Sequence, residues 1–224
     1  MKAIFLGYRK WAIDVYDKIK KNPNISNNLP ICTSIEDLIN YNLSDYDLLI
    51  TCGWSDEIGS DIAEKIQCIG VHCAELDRYS YGTPIQLQII DGINLTKHRV
   101  FKFTAPEKSK RAHTHTREYS HEVDLDLSGG IEEIFFQMTA TSVVLFNMFL
   151  NDYPNIKWSI WPEEKEVKIA RVPSDSIISI DDLGNKNTEE IYNLARSLES
   201  PYPNLCIEDS KGFLFLEKVR YKKK

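Results

Sequence analysis

IGVHCAELDRYSYGTPIQLQIIDG, residues 69–92, holds the most informative pattern in the chain. An apolar run at its start ends in His72 and has the length of a buried strand. A second apolar segment, TPIQLQII, has the length of a short helix and stops just before Gly92, a residue typical of helix ends. The stretch therefore predicts a strand, a connection and a helix.

Short apolar runs and amphipathic segments alternate on both sides of this stretch. Strands are predicted at KAIFLG, LPICT and DYDLLITCG before it and at LTKHRVFKFT after it. Helices are predicted through Trp11, Val15 and Ile19, near SDIAEKI, and along GGIEEIFFQMTATSVVLFNMFL, where apolar residues recur at helical spacing. This order predicts an α/β fold, with a Rossmann-like, mostly parallel sheet and crossover helices.

The pattern changes after residue 160. Short predicted strands at EVKIAR, CIED and GFLFLEKV surround a single predicted helix in TEEIYNLARSLES. We therefore predict two domains: an α/β core over residues 1–160 and a small C-terminal α+β subdomain over residues 161–224.

The composition is that of an ordinary globular protein and limits the classes of function. The 224 residues carry a formal net charge of −6, which argues against a large nucleic-acid surface. The N-terminus lacks the apolar core of a signal peptide, and no run of about 18 apolar residues follows. We therefore expect a cytoplasmic protein with neither a nucleic-acid nor a membrane partner.

Several familiar cofactor and catalytic patterns do not occur. The turn after the first predicted strand, LGYRKWA, lacks Gly-x-Gly-x-x-Gly, and neither a Walker-type loop nor a Gly-x-Ser-x-Gly elbow occurs anywhere. Their absence argues against dehydrogenase, nucleotide-hydrolase and serine-hydrolase functions. The five cysteines are scattered without a Cys-x-x-Cys pair, so neither a disulfide framework nor a zinc ribbon is suggested.

Residues 69–92 resemble the motif of the folate-dependent formyltransferases, in which an Asn-x-His strand end precedes a Tyr, a Gly-x-Pro-Ile segment and a helix ended by Gly. The residues that match it without a gap are His72, Leu76, Tyr79, Gly82, Pro84, Ile85 and Gly92. A second segment, IYNLARSLESPYPNL at 191–205, looks like the family's Tyr-Asn-x-x-Arg-Ala-Leu-x-x-Pro-Tyr-Pro-Gly segment. Two distant motifs in the right order imply the family's fold, with formyl-tetrahydrofolate as co-substrate.

Features outside these motifs favour one branch of the family. Transfer-RNA formyltransferases carry a larger, basic C-terminal domain, whereas this acidic chain ends soon after Ile160. Purine-pathway formyltransferases have a Gly-Ser-Asn phosphate loop where this chain has Gly7, Tyr8 and Arg9. The chain is more similar to the bacterial enzymes that formylate amino groups of nucleotide-linked sugars. We therefore expect a small-molecule substrate of this kind, and a homodimer is a further expectation.

The resemblance implies that His72 is the proton relay of formyl transfer. The residues expected to bind the folate are Thr51, Gly53, Trp54, Ser55, Tyr79 and Gly82. Trp54 would stack on the pteridine ring, and ordinary core packing is the alternative for this residue. The residues expected to contact the substrate are Tyr8, Arg9, Gln86, Arg111 and Arg117.

Two side chains of the family's catalytic set are missing. Gly70 stands where the family has an oxyanion-stabilising Asn, and AHTHTREYSHE, residues 112–122, stands where the family has an Asp loop. We therefore expect His113 or His115 to take over part of the lost catalytic function beside His72. The rival hypothesis is a descendant with the same fold that performs another transfer or cyclisation reaction, or only binds a ligand.

The histidine-rich segment allows three interpretations. In an extended conformation, one face carries two arginines and two histidines: Arg111, His113, His115 and Arg117. The two guanidinium groups favour phosphate or carboxylate over a divalent cation. A metal site would draw its ligands from His113, His115 and His121, with Glu122 or His72. Their spacing is not diagnostic, so we predict no metal; the third interpretation is a surface loop whose histidines have no role.

Two further residues have competing interpretations. His98 in TKHRVF is expected on the surface of its strand, with a catalytic role as the alternative. Cys73 would be a nucleophile if His72 and a helix N-terminus lowered its pKa, but a small packed thiol is the preferred interpretation.

Overall fold

The alternation of apolar runs and amphipathic segments becomes a sheet flanked by helices in the computed structural model. The structure describes residues 1–26, 28–56, 58–79, 82–103, 115–161 and 168–224, without the side chains at 76, 77 and 115–117. The described strands are β1 Ala3–Leu6, β2 Ile31–Cys32, β3 Leu48–Thr51, β4 Gln67–His72, β5 Leu95–Phe103, β6 His115–Asp126, β7 Ser159–Ile160, β8 Ile177–Ser179, β9 Leu205–Asp209 and β10 Gly212–Leu216.

The described α-helices are α1 Lys10–Ile19, α2 Ser60–Ala63, α3 Leu76–Tyr79, α4 Pro84–Ile90, α5 Ile131–Asp152, α6 Ile180–Gly184 and α7 Thr188–Arg196. Short 3-10 helices lie at Glu36–Asn40, Leu43–Asp45 and Pro173–Ser176. Gly92 follows α4 with a φ of +78°, a left-handed conformation that glycine adopts without a steric penalty. The predicted helix end at Gly92 is therefore confirmed.

Two compact units are formed, each from three segments of chain. The first unit comprises Met1–Cys73, Lys97–Leu125 and Met138–Glu163, and the second unit comprises Ala74–Thr96, Asp126–Gln137 and Glu164–Lys224. The predicted boundary at residue 160 is a single point in the sequence, whereas each unit combines early and late parts of the chain.

One sheet holds seven of the described strands, in the order β2-β1-β3-β4-β5-β6-β7. Strand β1 pairs in parallel with β2 and β3, and β3 pairs in parallel with β4. The pairs β4–β5 and β6–β7 are antiparallel. The predicted α/β fold with a Rossmann-like, mostly parallel sheet is confirmed.

Helix α5 supplies a large part of the first unit's apolar core. Its residues Leu145, Phe146, Phe149 and Leu150 are fully buried in the cluster that also holds residues of β1 and β3. By length and composition alone, α5 is also apolar enough to cross a membrane. The burial of these side chains shows that its apolar surface is used within the fold, as in the core helices of many globular proteins.

The second unit contains a three-stranded sheet in the order β10-β9-β8. Leu194 and Ala195 of α7 pack with Leu198 and with Leu205 of β9. The predicted strand at EVKIAR is wrong over its described residues, 168–171, which form no strand. The backbone N–H of Lys168 donates to the Arg78 carbonyl, so this segment bonds to a neighbouring loop rather than to a strand.

The second unit is tied together by the guanidinium of Arg196, which is only 2% exposed. Its Nη1 donates to the carbonyls of Leu127 at 2.5 Å and Gly129 at 2.8 Å, just before α5. Its Nη2 donates to Asn94 Oδ1 at 3.2 Å and its Nε to Asn193 Oδ1 at 2.9 Å. A buried charge is tolerated only when its donors are matched in this way.

We predict that Arg196→Met lowers the free energy of unfolding by about 3 kcal/mol, because two buried carbonyls lose their donor. Arg196→Lys should recover only part of this loss, since one ammonium cannot reproduce the planar fork of a guanidinium. Urea unfolding measures both effects. Arg220→Met, at an exposed arginine, is the control and should change stability little; equal losses at Arg196 and Arg220 would contradict this role.

His98 lies in the core of the first unit, and the expectation of a strand-surface histidine is wrong. Its side chain is 0% exposed, and Nδ1 lies 2.8 Å from Thr141 Oγ1 on α5. The Thr141 hydroxyl also contacts the Met138 carbonyl at 3.2 Å. Side chains alternate along a strand, and this places His98 with Val100 toward the buried side.

This burial predicts a specific acid sensitivity. Burial lowers the pKa of the His98 imidazole from 6.5 to about 3. Below pH 6.5 the unfolded chain gains a proton here that the folded chain does not, so the free energy of unfolding falls with pH. The loss should reach about 2 kcal/mol at pH 5. Urea unfolding at neutral pH and at pH 5 measures it; His98→Leu should narrow the difference, and an unchanged difference would contradict the assignment.

Candidate functional site

His72 ends β4 on a sheet face that it shares with residues of β5. In the antiparallel β4–β5 pair, His72 lies opposite Arg99 and Gly70 lies opposite Phe101. Directly opposed residues place their side chains on the same face. The strand register therefore brings these positions together at the carboxyl end of β4.

Aromatic rings surround the His72 imidazole. The Phe101 ring lies 6.3 Å from it at an interplanar angle of 88°, and the Trp161 ring lies 6.4 Å away at 84°. The Tyr119 ring packs against Trp161 with 4.9 Å between centroids. Edge-to-face contacts of this kind hold a ring in one orientation, so His72 is an oriented imidazole in a largely apolar setting.

A cation lies beside this cluster. The Arg99 guanidinium is stacked over the Tyr119 ring at 5.1 Å and over the Trp161 ring at 5.7 Å, and its Nε donates to Glu122 Oε2 at 2.9 Å. Arg99 and Phe101 were not predicted as site residues, although their spacing of two along β5 was a usable signal. Trp161 joins from a distant segment and no sequence pattern indicated it.

The structure leaves no room for a side chain at Gly70. A Cβ there would lie 2.6 Å from Thr51 Oγ1 and 2.8 Å from the Phe101 ring. The Thr51 hydroxyl is itself committed, because it donates to the Ile69 carbonyl at 3.0 Å. The position that the family resemblance assigns to an Asn is therefore filled by neighbouring groups, and those groups belong to the core of the site.

We predict that Gly70→Ala lowers the free energy of unfolding by about 2 kcal/mol, because the methyl group overlaps Thr51 and Phe101. Phe101→Leu in the same chain should recover part of the loss by opening space. Gly184→Ala is the matched control, since no atom lies within 4 Å of its added Cβ. Denaturant unfolding measures all three; a Gly70→Ala variant as stable as Gly184→Ala would show that the overlap is not real.

The loops after β1 and β3 bring together predicted folate-binding and substrate-binding residues. Strand β1 has β2 on one side and β3 on the other, and such a switch point opens a crevice at the carboxyl ends of the strands. The Arg9 guanidinium donates to Ser55 Oγ at 2.7 Å, and the Tyr8 and Trp54 rings meet edge to face at 5.5 Å. Tyr8 is 45% exposed, so this group is open to solvent.

Two features of this loop pair fit a planar heterocyclic ligand. The Trp54 Nε1 is buried and has no hydrogen-bond partner among the residues that the structure describes. Buried donors are rarely left unsatisfied, so this N–H is a candidate donor to a ligand. Gly53 adopts a φ of +60°, and its added Cβ would approach Ala12 to 3.0 Å, which explains glycine at the turn.

The other predicted binding residues on the 69–92 stretch lie in the second unit and have packing contacts. Tyr79 is 2% exposed and donates its hydroxyl to Asp91 Oδ2 at 2.6 Å. Gly82 has a φ of +61°, and a Cβ there would lie 2.2 Å from the Ala170 Cβ. Gln86 is 4% exposed. The contacts of Tyr79 and Gly82 explain on packing grounds alone why these two positions hold a tyrosine and a glycine.

The histidine-rich segment is described only in part. Arg111 and His113 lie outside the described residues, and His115 and Arg117 contribute only their backbone, at the start of β6. Nε2 of His121 lies 3.0 Å from Asp152 Oδ2. Among the described side chains, no group of three or more His, Cys, Asp or Glu residues could hold a metal ion.

Cys73 follows the catalytic candidate His72 but is a packed thiol. It is 8% exposed, and burial raises its pKa to about 12. A thiol that stays protonated at neutral pH is a poor nucleophile, so the structure supports the packing interpretation.

Comparison with solved structures identifies the fold. A methionyl-tRNA formyltransferase from Clostridium thermocellum matches with a TM-score of 0.79 and 27% identity, over 99% of this chain and 94% of that one. A sugar N-formyltransferase from Shewanella sp. matches with a TM-score of 0.71 and 12% identity, over 100% and 99% of the two chains. This chain has the formyltransferase fold. The family expected from the two sequence motifs is confirmed at the level of fold, and the chain is formyltransferase-like.

A third similar structure contains a bound folate. HypX from Aquifex aeolicus in complex with tetrahydrofolic acid matches with a TM-score of 0.66 and 14% identity, over 93% of this chain and 36% of the longer protein. No protein-family model matches the sequence, and no curated protein matches it either.

Proposed function

We propose that this protein transfers a formyl group from formyl-tetrahydrofolate to the amino group of a nucleotide-linked amino sugar. The observation that carries the proposal is the oriented His72 at the carboxyl end of β4, in a fold that covers the full length of a sugar N-formyltransferase. His72, which the sequence motif predicted, and the fold both support formyl transfer as the reaction.

The chemistry requires a group that moves a proton. The attacking amine forms a bond to the formyl carbon, and the bond from that carbon to the folate nitrogen breaks. The amine must lose a proton and the departing folate nitrogen must gain one. An imidazole titrates near neutrality and can do both, which is the role proposed for His72.

The donor site is proposed at the loops after β1 and β3. Trp54 offers an aromatic plane and a buried N–H without a described acceptor, and Gly53 and Ser55 complete the turn. HypX, of which 36% is matched by this fold, was solved in complex with tetrahydrofolic acid, and this supports a folate ligand. Thr51, Tyr79 and Gly82 stay predicted contributors, with the packing contacts described above.

The acceptor is proposed to be a small molecule. Arg9 and Tyr8 supply a cation and an exposed ring next to the Trp54 loop. Arg111 and Arg117, with Gln86, stay predicted contacts for the substrate, as do His113 and His115 for the lost catalytic function. The net charge of −6 disfavours transfer RNA, although the neighbour at 27% identity bears a transfer-RNA name, so that substrate belongs in the test. The cytoplasmic location stays a prediction.

One observation favours a second candidate function. No side chain fits at Gly70, so the family's oxyanion donor is absent and its space is occupied. Loss of one such donor costs about 10²–10³ in rate. The second candidate is therefore a protein that keeps the folate site but performs another transfer or cyclisation reaction, or only binds its ligand.

We expect the full chain to add a formyl group to a nucleotide-linked amino sugar when supplied with formyl-tetrahydrofolate. His72→Gln should reduce the rate at least about 10²-fold, because the proton relay is lost. Mass spectrometry of a panel of nucleotide-linked amino sugars, with methionyl-tRNA alongside, detects the product. His121→Gln is the matched control, since this histidine contacts Asp152 rather than the site, and it should keep the wild-type rate.

Binding separates the two candidates. Titration calorimetry with tetrahydrofolate should show binding that Trp54→Ala weakens and that Ile39→Ala, at an exposed residue, leaves unchanged. Folate binding without formylation of any amine would favour the second candidate. Absence of both folate binding and formylation would reject both candidate functions. Formylation of methionyl-tRNA alone would show that the acceptor is transfer RNA and not a nucleotide-linked amino sugar.

A further inference from the structure

Trp161 brings a buried hydrogen-bond donor to the neighbourhood of His72. Its side chain is 3% exposed, and its Nε1 has no hydrogen-bond partner among the residues that the structure describes. Its ring lies 6.4 Å from the His72 ring, and both residues belong to the first unit. A buried N–H is rarely left unsatisfied, so this indole is a candidate donor to the ligand on which His72 acts.

The sheet and its neighbours fix the position of this indole. In the β6–β7 pair Tyr119 lies opposite Ser159, and Trp161 follows two residues after Ser159. Alternate residues along a strand share a face, and the Tyr119 and Trp161 rings meet with 4.9 Å between their centroids. The Arg99 guanidinium lies 5.7 Å from the centroid of the Trp161 ring. Contacts with a ring and a cation hold the indole in one orientation.

Formyl transfer creates a negative charge that such a donor can stabilise. The lone pair of the amine forms a bond to the formyl carbon, and the π pair of the carbonyl moves onto its oxygen. That pair re-forms the carbonyl as the bond from carbon to the folate nitrogen breaks, and His72 passes the proton lost by the amine to that nitrogen. The products are a formamide and tetrahydrofolate. The oxygen is charged only between the two bond changes, so a fixed donor at that point lowers the barrier.

Other polar groups beside Gly70 are already engaged. The Thr51 hydroxyl donates to a backbone carbonyl at 3.0 Å, and the Nε of Arg99 donates to Glu122 Oε2 at 2.9 Å. An indole N–H donates and does not accept, so it offers no second acceptor for the proton that His72 transfers. The unpartnered N–H of the ring beside His72 is therefore the donor best suited to the oxyanion.

We propose that the Trp161 indole N–H donates a hydrogen bond to the formyl oxygen and stabilises the oxyanion. It takes the role that the family resemblance assigns to an Asn at the position of Gly70. This inference rests on the proposed formyl transfer and adds a catalytic residue to it. The hydrogen bond is strongest when the oxygen is charged, so it contributes to kcat more than to the binding of either substrate.

Replacement of Trp161 by 3-benzothienylalanine, an isostere with sulfur in place of the N–H, tests the donor while keeping the shape of the ring. The kcat of the full chain should fall about 10²-fold, with the KM for formyl-tetrahydrofolate and for the amino sugar nearly unchanged. The same replacement at Trp158, whose ring packs 6.0 Å from that of Phe149, is the matched control and should keep the wild-type rate. Mass spectrometry of the formylated sugar measures both rates.

Two further variants separate the N–H from the aromatic ring. Trp161→Phe keeps a ring without a donor, whereas Trp161→Gln loses the ring and supplies an amide N–H. A donor role predicts that the Gln variant is faster than the Phe variant, and a packing role predicts the opposite order. Circular dichroism establishes that each variant is folded. Titration calorimetry with tetrahydrofolate, which carries no formyl group, should give the wild-type dissociation constant for the isostere.

The outcomes distinguish failure of this inference from failure of the proposed function. Formylation by the wild type and an equal rate in the Trp161 isostere variant would reject the oxyanion role and leave formyl transfer standing. A wild-type chain that formylates no acceptor would reject both. Weaker tetrahydrofolate binding with an unchanged kcat would assign Trp161 to folate binding, and a Phe variant faster than the Gln variant would make it a packing residue; either result overturns the inference.

Discussion

The second unit depends on one buried guanidinium. Arg196 donates to the carbonyls of Leu127 and Gly129 and to the side chains of Asn94 and Asn193, so a single charge joins all three chain segments of that unit. Because an unpaired buried charge is far more costly than a paired one, these segments are held in their mutual arrangement. The Arg in the IYNLARSLESPYPNL segment is thus a structural residue, and the segment is informative about fold rather than chemistry.

A steric constraint has the same importance for the candidate site. Thr51 and Phe101 approach the α-carbon of Gly70 so closely that any side chain there would overlap them. The sheet face beside His72 is consequently built from aromatic rings and the stacked Arg99, without the amide that the family resemblance assigns to this position. If formyl transfer survives, its oxyanion must be stabilised by another group. The site combines His72, which we propose as the proton relay, with a surrounding of aromatic rings, and the two candidate functions differ in whether formyl transfer occurs there.

The loops after β1 and β3 form a separate part of the candidate site. A positive φ at Gly53, the Arg9–Ser55 hydrogen bond and the Tyr8–Trp54 contact all lie at the switch point of the sheet. Open α/β sheets bind ligands at such points because the loops on either side diverge. The folate binding that we propose at these loops therefore does not depend on the side chain missing at Gly70.

The sequence by itself determined the order of the strands and helices of the first unit, because fully buried strands appear as uninterrupted apolar runs and α1 and α5 repeat their apolar residues at helical spacing. It also predicted the formyltransferase fold, through His72, the Gly92 helix end and the segment around Arg196. Only the tertiary structure decided which side chains surround His72. Phe101 reaches it through strand register and Trp161 from a distant segment, and register depends on pairing between strands that local pattern does not encode.

Strand β6 was missed for a related reason: its charged residues pair with β5 and α5, so it carries no apolar run. His98 was misplaced because one polar residue in a strand does not reveal which face it occupies; the helix packed against that face does.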